Sequence, residues 1–164
     1  MPRTDYPFDL SAITDHRKRT RRELLNDSSK RIKKKIAVLG GSTTNDIIKA
    51  LEVFLLAEGI EPSFYESEYN RFWQDAMFDN PELQEFAPDI IYIHTRFRNI
   101  ATFLPEASEG EEEIQAKLEE RFSYYEKMWK KLANDYNCPI IQNNFELPSY
   151  RLFGNRDAYD IHGG

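Results

Sequence analysis

The feature that most limits what this chain can fold into is a series of short apolar runs, each closing on glycine or polar residues and separated by stretches with helical spacing. Ile36-Ala37-Val38-Leu39 closes on Gly40-Gly41, Ile90-Ile91-Tyr92-Ile93 on His94, and Pro139-Ile140-Ile141 on Gln142-Asn143. Strands that read as continuous apolar runs are covered on both faces, and strands alternating with helices belong to a parallel sheet. The expected fold is therefore α/β, a three-layer parallel sheet flanked by helices.

A helix follows the first run, with Ile47, Ile48, Leu51, Phe54, Leu55 and Leu56 at helical spacing, Asn45 or Thr44 as N-cap and Gly59 as the stop. A second strand is expected at Glu61–Glu66, then a short helix through Tyr69, Phe72, Trp73 and Met77. The longest helix should run from about Glu111 to Tyr136, with Ile114, Leu118, Phe122, Tyr125, Met128, Trp129 and Leu132 as its packing stripe. Leu10, Ile13, Leu24 and Leu25, set among arginines and lysines, predict a polar helix between Asp9 and Asp27 on the outside of the domain. The run Lys30, Arg31, Lys33, Lys34, Lys35 reads as a solvated lead-in that discourages edge aggregation, or as a patch for a phosphate or anionic partner. The organisation is a basic N-terminal helical arm at residues 1–34 and a partial α/β domain at residues 35–164.

A length of 164 residues suits one domain with a real core. The net charge of −6 hides an asymmetry: Met1–Lys35 carries +6 and Ile36–Gly164 carries −12. An acidic body argues against nucleic acid as partner, because a phosphate backbone needs a clustered basic surface. The single Cys138 excludes an internal disulfide framework and fits a reducing compartment. Apolar runs fall short of the roughly 18 residues of a membrane span, and the first residues lack the apolar core of a secretory signal. The expectation is a cytoplasmic protein with neither nucleic acid nor membrane as partner.

Ligands of open α/β sheets sit beyond the carboxyl ends of the strands, where strand order reverses. That rule collects Gly40–Asn45, Glu66–Asn70, His94–Asn99 and Gln142–Asn144 into one rim. Two glycines let the chain turn tightly after the first strand, and Ser42 then precedes a helix whose N–H groups favour an anion or oxyanion. Such a serine can attack a carbonyl or bind a phosphate, with Gly41, Thr43 and Asn45 beside it; equally, the segment is a glycine-rich turn with hydroxyl caps. It lacks a P-loop lysine and the GxGxxG spacing, so nucleotide readings are weak. A nucleophilic serine needs a base, and the histidines are His16, His94 and His162. His94 reads as a satisfied rim residue and His162 lies near the terminus, so no triad is assigned. Arg96 and Arg98 suit a carboxylate or phosphate by their guanidinium geometry, or pair with the acidic body. Asn143, Asn144, Arg151 and Asn155 could polarise a ligand carbonyl or satisfy loop backbone. No zinc spacing occurs, and Cys138 reads as a small buried residue.

Taken in order, Ile36–Asn45, Phe86–Ile93, Pro139–Phe145 and Leu147–Asn155 resemble the N-terminal region of FkbH-like proteins. These are relatives of HAD-superfamily subfamily IIIC phosphatases, with an SGNH-hydrolase-like domain ahead of a HAD domain. The likeness runs from about Lys33 onward. It implies a flavodoxin-like or SGNH-like sheet, truncated on its C-terminal side. It also implies a role in loading a glyceryl or acyl unit from a phosphorylated three-carbon donor onto an acyl carrier protein, in polyketide, capsule or surface-polymer biosynthesis. Ser42 then matches the serine of the first SGNH block as nucleophile or anchor, although Gly41 stands where Gly-Asp-Ser has its aspartate. Asn99 is carried over from the third block, and Arg96, Asn143 and Asn144 would orient the donor. The HAD nucleophile motif Asp-x-Asp-x-Thr/Val is missing, Asp157 and Asp160 being three apart. No cofactor is expected in this chain; magnesium would belong to a HAD domain outside it.

Two other readings stand beside this one. The same fold could serve as a non-catalytic module that docks a carrier protein or a partner domain, or as an unrelated flavodoxin-like ligand binder using Gly40–Asn45. In the first two, the basic arm could meet the acidic face of a carrier, an attraction that salt would weaken.

Overall fold

The computed structural model describes residues 4, 6–27, 30–100, 106, 108–146, 154–156 and 159–160. Helices α1 (Leu10–Ile13) and α2 (Arg17–Asn26) lead into β1 (Ile32–Gly40), followed by α3 (Asn45–Ala57), β2 (Ile60–Glu66), α4 (Phe72–Met77) and α5 (Pro81–Phe86). Strand β3 (Ile90–His94), a 3-10 turn at Phe97–Asn99, helix α6 (Glu111–Tyr136) and strand β4 (Ile140–Gln142) complete the α/β unit. All strand pairs are parallel, in the order β2-β1-β3-β4. The parallel three-layer expectation holds.

Alternation along the strands assigns the layers. Ala37 and Leu39 of β1 and Ile91 and Ile93 of β3 face one way and join Phe72, Ala76, Leu83, Tyr125, Met128 and Leu132 in one core. Ile36 and Val38 face the other way, toward the layer of α3, where Val53 and Leu56 are buried. Strand β1 leads through α3 to β2 on one side of itself, and the chain then crosses to β3 on the other. The order therefore reverses between β1 and β3, which places the ligand crevice beyond Gly40 and His94.

Several expectations are corrected. Strand β1 begins at Ile32, so Lys33, Lys34 and Lys35 are strand residues paired with Glu61, Pro62 and Ser63 rather than a lead-in. The arm is two helices. Asp9 caps α1 by accepting from the Ala12 amide, and the chain turns at Thr14–His16 before α2. Residue Thr20 of α2 is buried and donates to the Ala12 carbonyl at 2.9 Å, while Arg17 and Arg21 reach Glu52 of α3. Helix α5 stands outside the expected elements, although Asn80-Pro81 is an N-cap followed by proline at the first helical position. The Asn80 carboxamide accepts from the Leu83 amide and donates to the Tyr65 hydroxyl. Helix α6 has the predicted bounds, but Leu118 and Phe122 are 58% and 60% exposed. Phe122 lies about 80° around the helix from Ile114 and Leu132, and no described element covers Leu118 or Phe122.

Tyr125 is the polar exception in that core. Its ring packs on Phe145 and Trp129, and its hydroxyl is buried with no hydrogen-bond partner among the described residues. Burial pushes its pKa up to about 12. An orphaned hydroxyl destabilises a core, so Tyr125→Phe should raise stability by about 1 kcal/mol, read as a higher urea midpoint at unchanged slope. A lowered midpoint would show that the hydroxyl has a partner in the folded protein.

Candidate functional site

The four predicted rim segments meet at the carboxyl ends of the strands, joined by side chains that satisfy neighbouring backbone. The Gly41 amide donates to the His94 carbonyl at 2.7 Å, continuing the β1–β3 ladder. Ser67, after β2, accepts from the Gly40 amide at 2.7 Å. Thr44 sits at the N-cap position of α3 but does not cap it; its hydroxyl donates to Glu66 at 2.7 Å, tying the helix start to the end of β2. Across β3, the Asn143 carboxamide accepts from the Thr95 amide at 3.0 Å and donates to the Thr95 carbonyl at 2.7 Å. Gln142 bridges the Thr95 hydroxyl and the Trp129 indole.

Asn99 lies in the crevice itself. Its carbonyl oxygen accepts from the Arg96 amide, and its amide nitrogen donates to the Gly41 carbonyl at 3.1 Å and to Asn70 at 3.2 Å. A Cβ on Gly41 would fall 2.5–2.8 Å from the Asn99 carboxamide, and one on Gly40 2.8 Å from the Ser42 carbonyl and the Thr44 methyl. Neither glycine has a positive φ. The pair is therefore required by close approach, not by the conformational freedom that a tight turn suggests. With Asn99 folded over it, position 41 has no room for a side chain.

The predicted residues divide accordingly. Ser42 is half-buried beside the crevice, and its hydroxyl makes no hydrogen bond among the described residues. Thr43 and Asn45 are exposed at the start of α3. Arg96 is held by Glu146, Nε to Oε1 at 2.9 Å, while the second Glu146 oxygen accepts from the Phe97 amide. Asn143 serves the backbone, and exposed Asn144 contributes its carbonyl to Asn143. Arg98 is exposed and makes no ion pair among the described residues. Residues 147–153, 157, 158 and 161–164 lie outside the described residues, and with them Arg151, Asp157, His162 and most of the Leu147–Asn155 motif. Cys138 is half-buried, and burial raises its pKa.

Among the described residues, no histidine or carboxylate is hydrogen bonded to Ser42. The His94 Nδ1 lies 3.2 Å from the Tyr92 hydroxyl, its neighbour on the same face of β3. Burial, and then the charge of Arg96, hold the His94 pKa below the usual histidine value. Among the described residues no group of three or more His, Cys, Asp or Glu is placed to hold a metal ion, and no helix is long and apolar enough to cross a membrane.

The sequence places Ser67 and Asn70 within the rim segment Glu66–Asn70 without giving either a role of its own, and it does not single out Arg121. Asn70 adopts a left-handed backbone, φ 58°, at the end of the segment after β2. Arg121 falls in phase with Ile114, Tyr125 and Met128 on the apolar face of α6, and a charge in that phase is a signal readable from the spacing. It lines a cavity of about 400 Å³ that also touches Asn70, Trp73, Arg98, Asn99 and Tyr124. A second cavity, about 560 Å³, opens beside α4 and α5. There Arg71 pairs with Glu68 and Asp75, and Asn80 with Tyr65.

No protein-family model matches the chain, and no curated protein matches it. Among solved structures it is similar to the N-terminal part of the protein BF1531 from Bacteroides fragilis, containing a phosphatase domain complexed with Mg. The TM-score is 0.65 over 89% of this chain, the identity is 17%, and the chain spans 37% of that structure's length. The likeness is one of fold. It establishes a Rossmann or flavodoxin-like α/β sheet in both proteins.

Two outcomes test the rim. Gly41→Ala should destabilise the protein by about 1–3 kcal/mol, the range for overpacking, and Asn99→Ala should recover part of that loss in the double variant. Strict additivity of the two changes in denaturant unfolding would count against the packing argument. The folded state also favours neutral His94, so the unfolded chain binds the proton more readily. Stability from this group is present above about pH 6.5 and is lost as pH falls through the lowered folded value. The urea midpoint should therefore fall less between pH 7.5 and 5.5 in His94→Gln than in the wild type; equal losses would remove His94 from the account.

Proposed function

We propose that this chain is the SGNH-like domain of an FkbH-like protein, and that its rim holds an acyl or glyceryl unit in transit from a phosphorylated three-carbon donor to an acyl carrier protein. The observation that carries the reading is the constellation at the strand reversal: Ser42, with a hydroxyl uncommitted to any described residue, directly follows the glycine over which Asn99 is folded. Support also comes from the fold likeness to the N-terminal part of a phosphatase-domain protein, of which this chain spans about a third of the length.

In this reading Ser42 is an anchor. A serine hydroxyl without an imidazole or carboxylate to take its proton is a poor nucleophile, but it donates readily to a carbonyl or phosphoryl oxygen. Asn99 is already committed to Gly41 and Asn70, so its role is to position the turn that carries Ser42. The covalent chemistry then falls to the phosphatase-type domain and the carrier. A Ser42 with no base bonded to it among the described residues equally favours a second reading, a non-catalytic module that docks the carrier or a partner domain.

One experiment separates the two. The chain is combined with its phosphatase-type domain, carrier protein and phosphorylated donor, and carrier acylation is followed by intact mass. Loss of one hydrogen bond to a charged or polarised oxygen is worth about 1.5 kcal/mol, so Ser42→Ala should slow acylation about tenfold at unchanged carrier binding. Unchanged acylation would overturn the anchor and leave the docking module.

A further inference from the structure

The cavity between α4 and α6 shares Asn70 and Asn99 with the crevice beside Ser42, and its other lining residues are its own. Its volume, about 400 Å³, falls within the roughly 300–1,000 Å³ of small-molecule sites. One wall is aromatic: the Trp73 indole stacks on the Tyr124 ring at 3.6 Å with 13° between planes, and Phe72 also lines the cavity. The polar side is cationic. The Arg121 guanidinium sits over the Tyr124 ring at 4.5 Å, half-buried, and burial pulls its pKa down. Arg98 enters from the 3-10 turn after β3, and Asn70 and Asn99 supply carboxamides. Glu120 also lines the cavity and opposes them, so that its described lining holds two guanidiniums and one carboxylate.

We propose that this cavity is a binding site for the phosphate group of a small phosphorylated molecule, with Arg98 and Arg121 as its two cationic arms and Trp73 and Tyr124 as a wall for the organic part. Guanidinium forks match phosphate oxygens in geometry and charge. A cation already stripped of part of its water gains more from an anion than a fully hydrated one. The position suits such a ligand: Arg98 and Asn99 are adjacent in the chain, so the anion would sit within reach of the strand reversal. The proposal deepens the functional reading by locating a phosphate, but it can stand or fall without Ser42.

The test uses the whole chain and inorganic phosphate, titrated against sodium chloride at matched ionic strength. Trp73 and Trp129 provide two indole N–H reporters. Trp129 donates to Gln142 at 2.6 Å and does not line the cavity, so it serves as the internal control. The Trp73 resonance should shift to saturation with phosphate while Trp129 stays in place, and acetate should bind at least fivefold more weakly. Arg98→Gln, at an exposed side chain, should keep the fold by circular dichroism and weaken phosphate at least fivefold. Arg121→Lys, which keeps the charge and loses the fork, should also weaken it. Ser42→Ala should bind phosphate normally, which separates failure of this site from failure of the anchor. The proposal is overturned if chloride reproduces the shift, if acetate binds as tightly, or if Arg98→Gln leaves the affinity unchanged.

Discussion

The approach of β1 to β3 at their carboxyl ends governs what surrounds it. The chain leaves these two parallel neighbours in opposite senses, so a crevice must open between Gly40 and His94. Here Asn99 closes it, laying its carboxamide on the Gly41 carbonyl and excluding any Cβ at position 41. The remaining positions follow. With Gly40 hydrogen bonded to Ser67 and Thr44 to Glu66, the start of α3 is tied to the end of β2, and Ser42 is carried to the edge of the crevice.

Most of the rim's polar groups are spent on one another. Asn143, Gln142, Thr95 and Ser67 satisfy neighbouring backbone or side chains, and Glu146 holds Arg96. Polar networks satisfied in this way rigidify a scaffold, and a rigid scaffold holds functional groups in place. Beside this network stand the Ser42 hydroxyl, uncommitted to any described residue, and, on the far side of Asn99, the cavity lined by Arg98 and Arg121. The two lie on either side of one carboxamide, so a ligand at one is positioned by the residue that frames the other.

The charge asymmetry also takes a structural form. Arg17 and Arg21 of the basic arm meet Glu52 of α3, and Lys33–Lys35 form the first half of β1. Part of the basic segment is therefore engaged with the body of the protein. The contacts with Glu52 are partly exposed ion pairs, worth about 1 kcal/mol or less each. Thr20 and the buried Ala12 and Ile13 contribute packing to the same layer.

Local patterns made much of the fold legible. Continuous apolar runs at Ile36–Leu39 and Ile90–Ile93 marked strands covered on both faces, and the spacing from Glu111 to Tyr136 marked α6, because burial and helical period are written residue by residue. The segments that form the rim were readable for the same reason, since they follow the strands. Which side chains in those segments remain available was decided by tertiary structure alone. Asn143 and Arg96 look like ligand-facing groups until Thr95 and Glu146 are brought to them from residues 48 and 50 positions away. The need for Gly41 is likewise set by a carboxamide 58 positions further on, and Arg121 and Tyr124 gain a cavity only when α6 packs beside α4. Sequence spacing encodes period and burial; the pairing of polar groups across the sheet depends on distances that exist only after the strands have met.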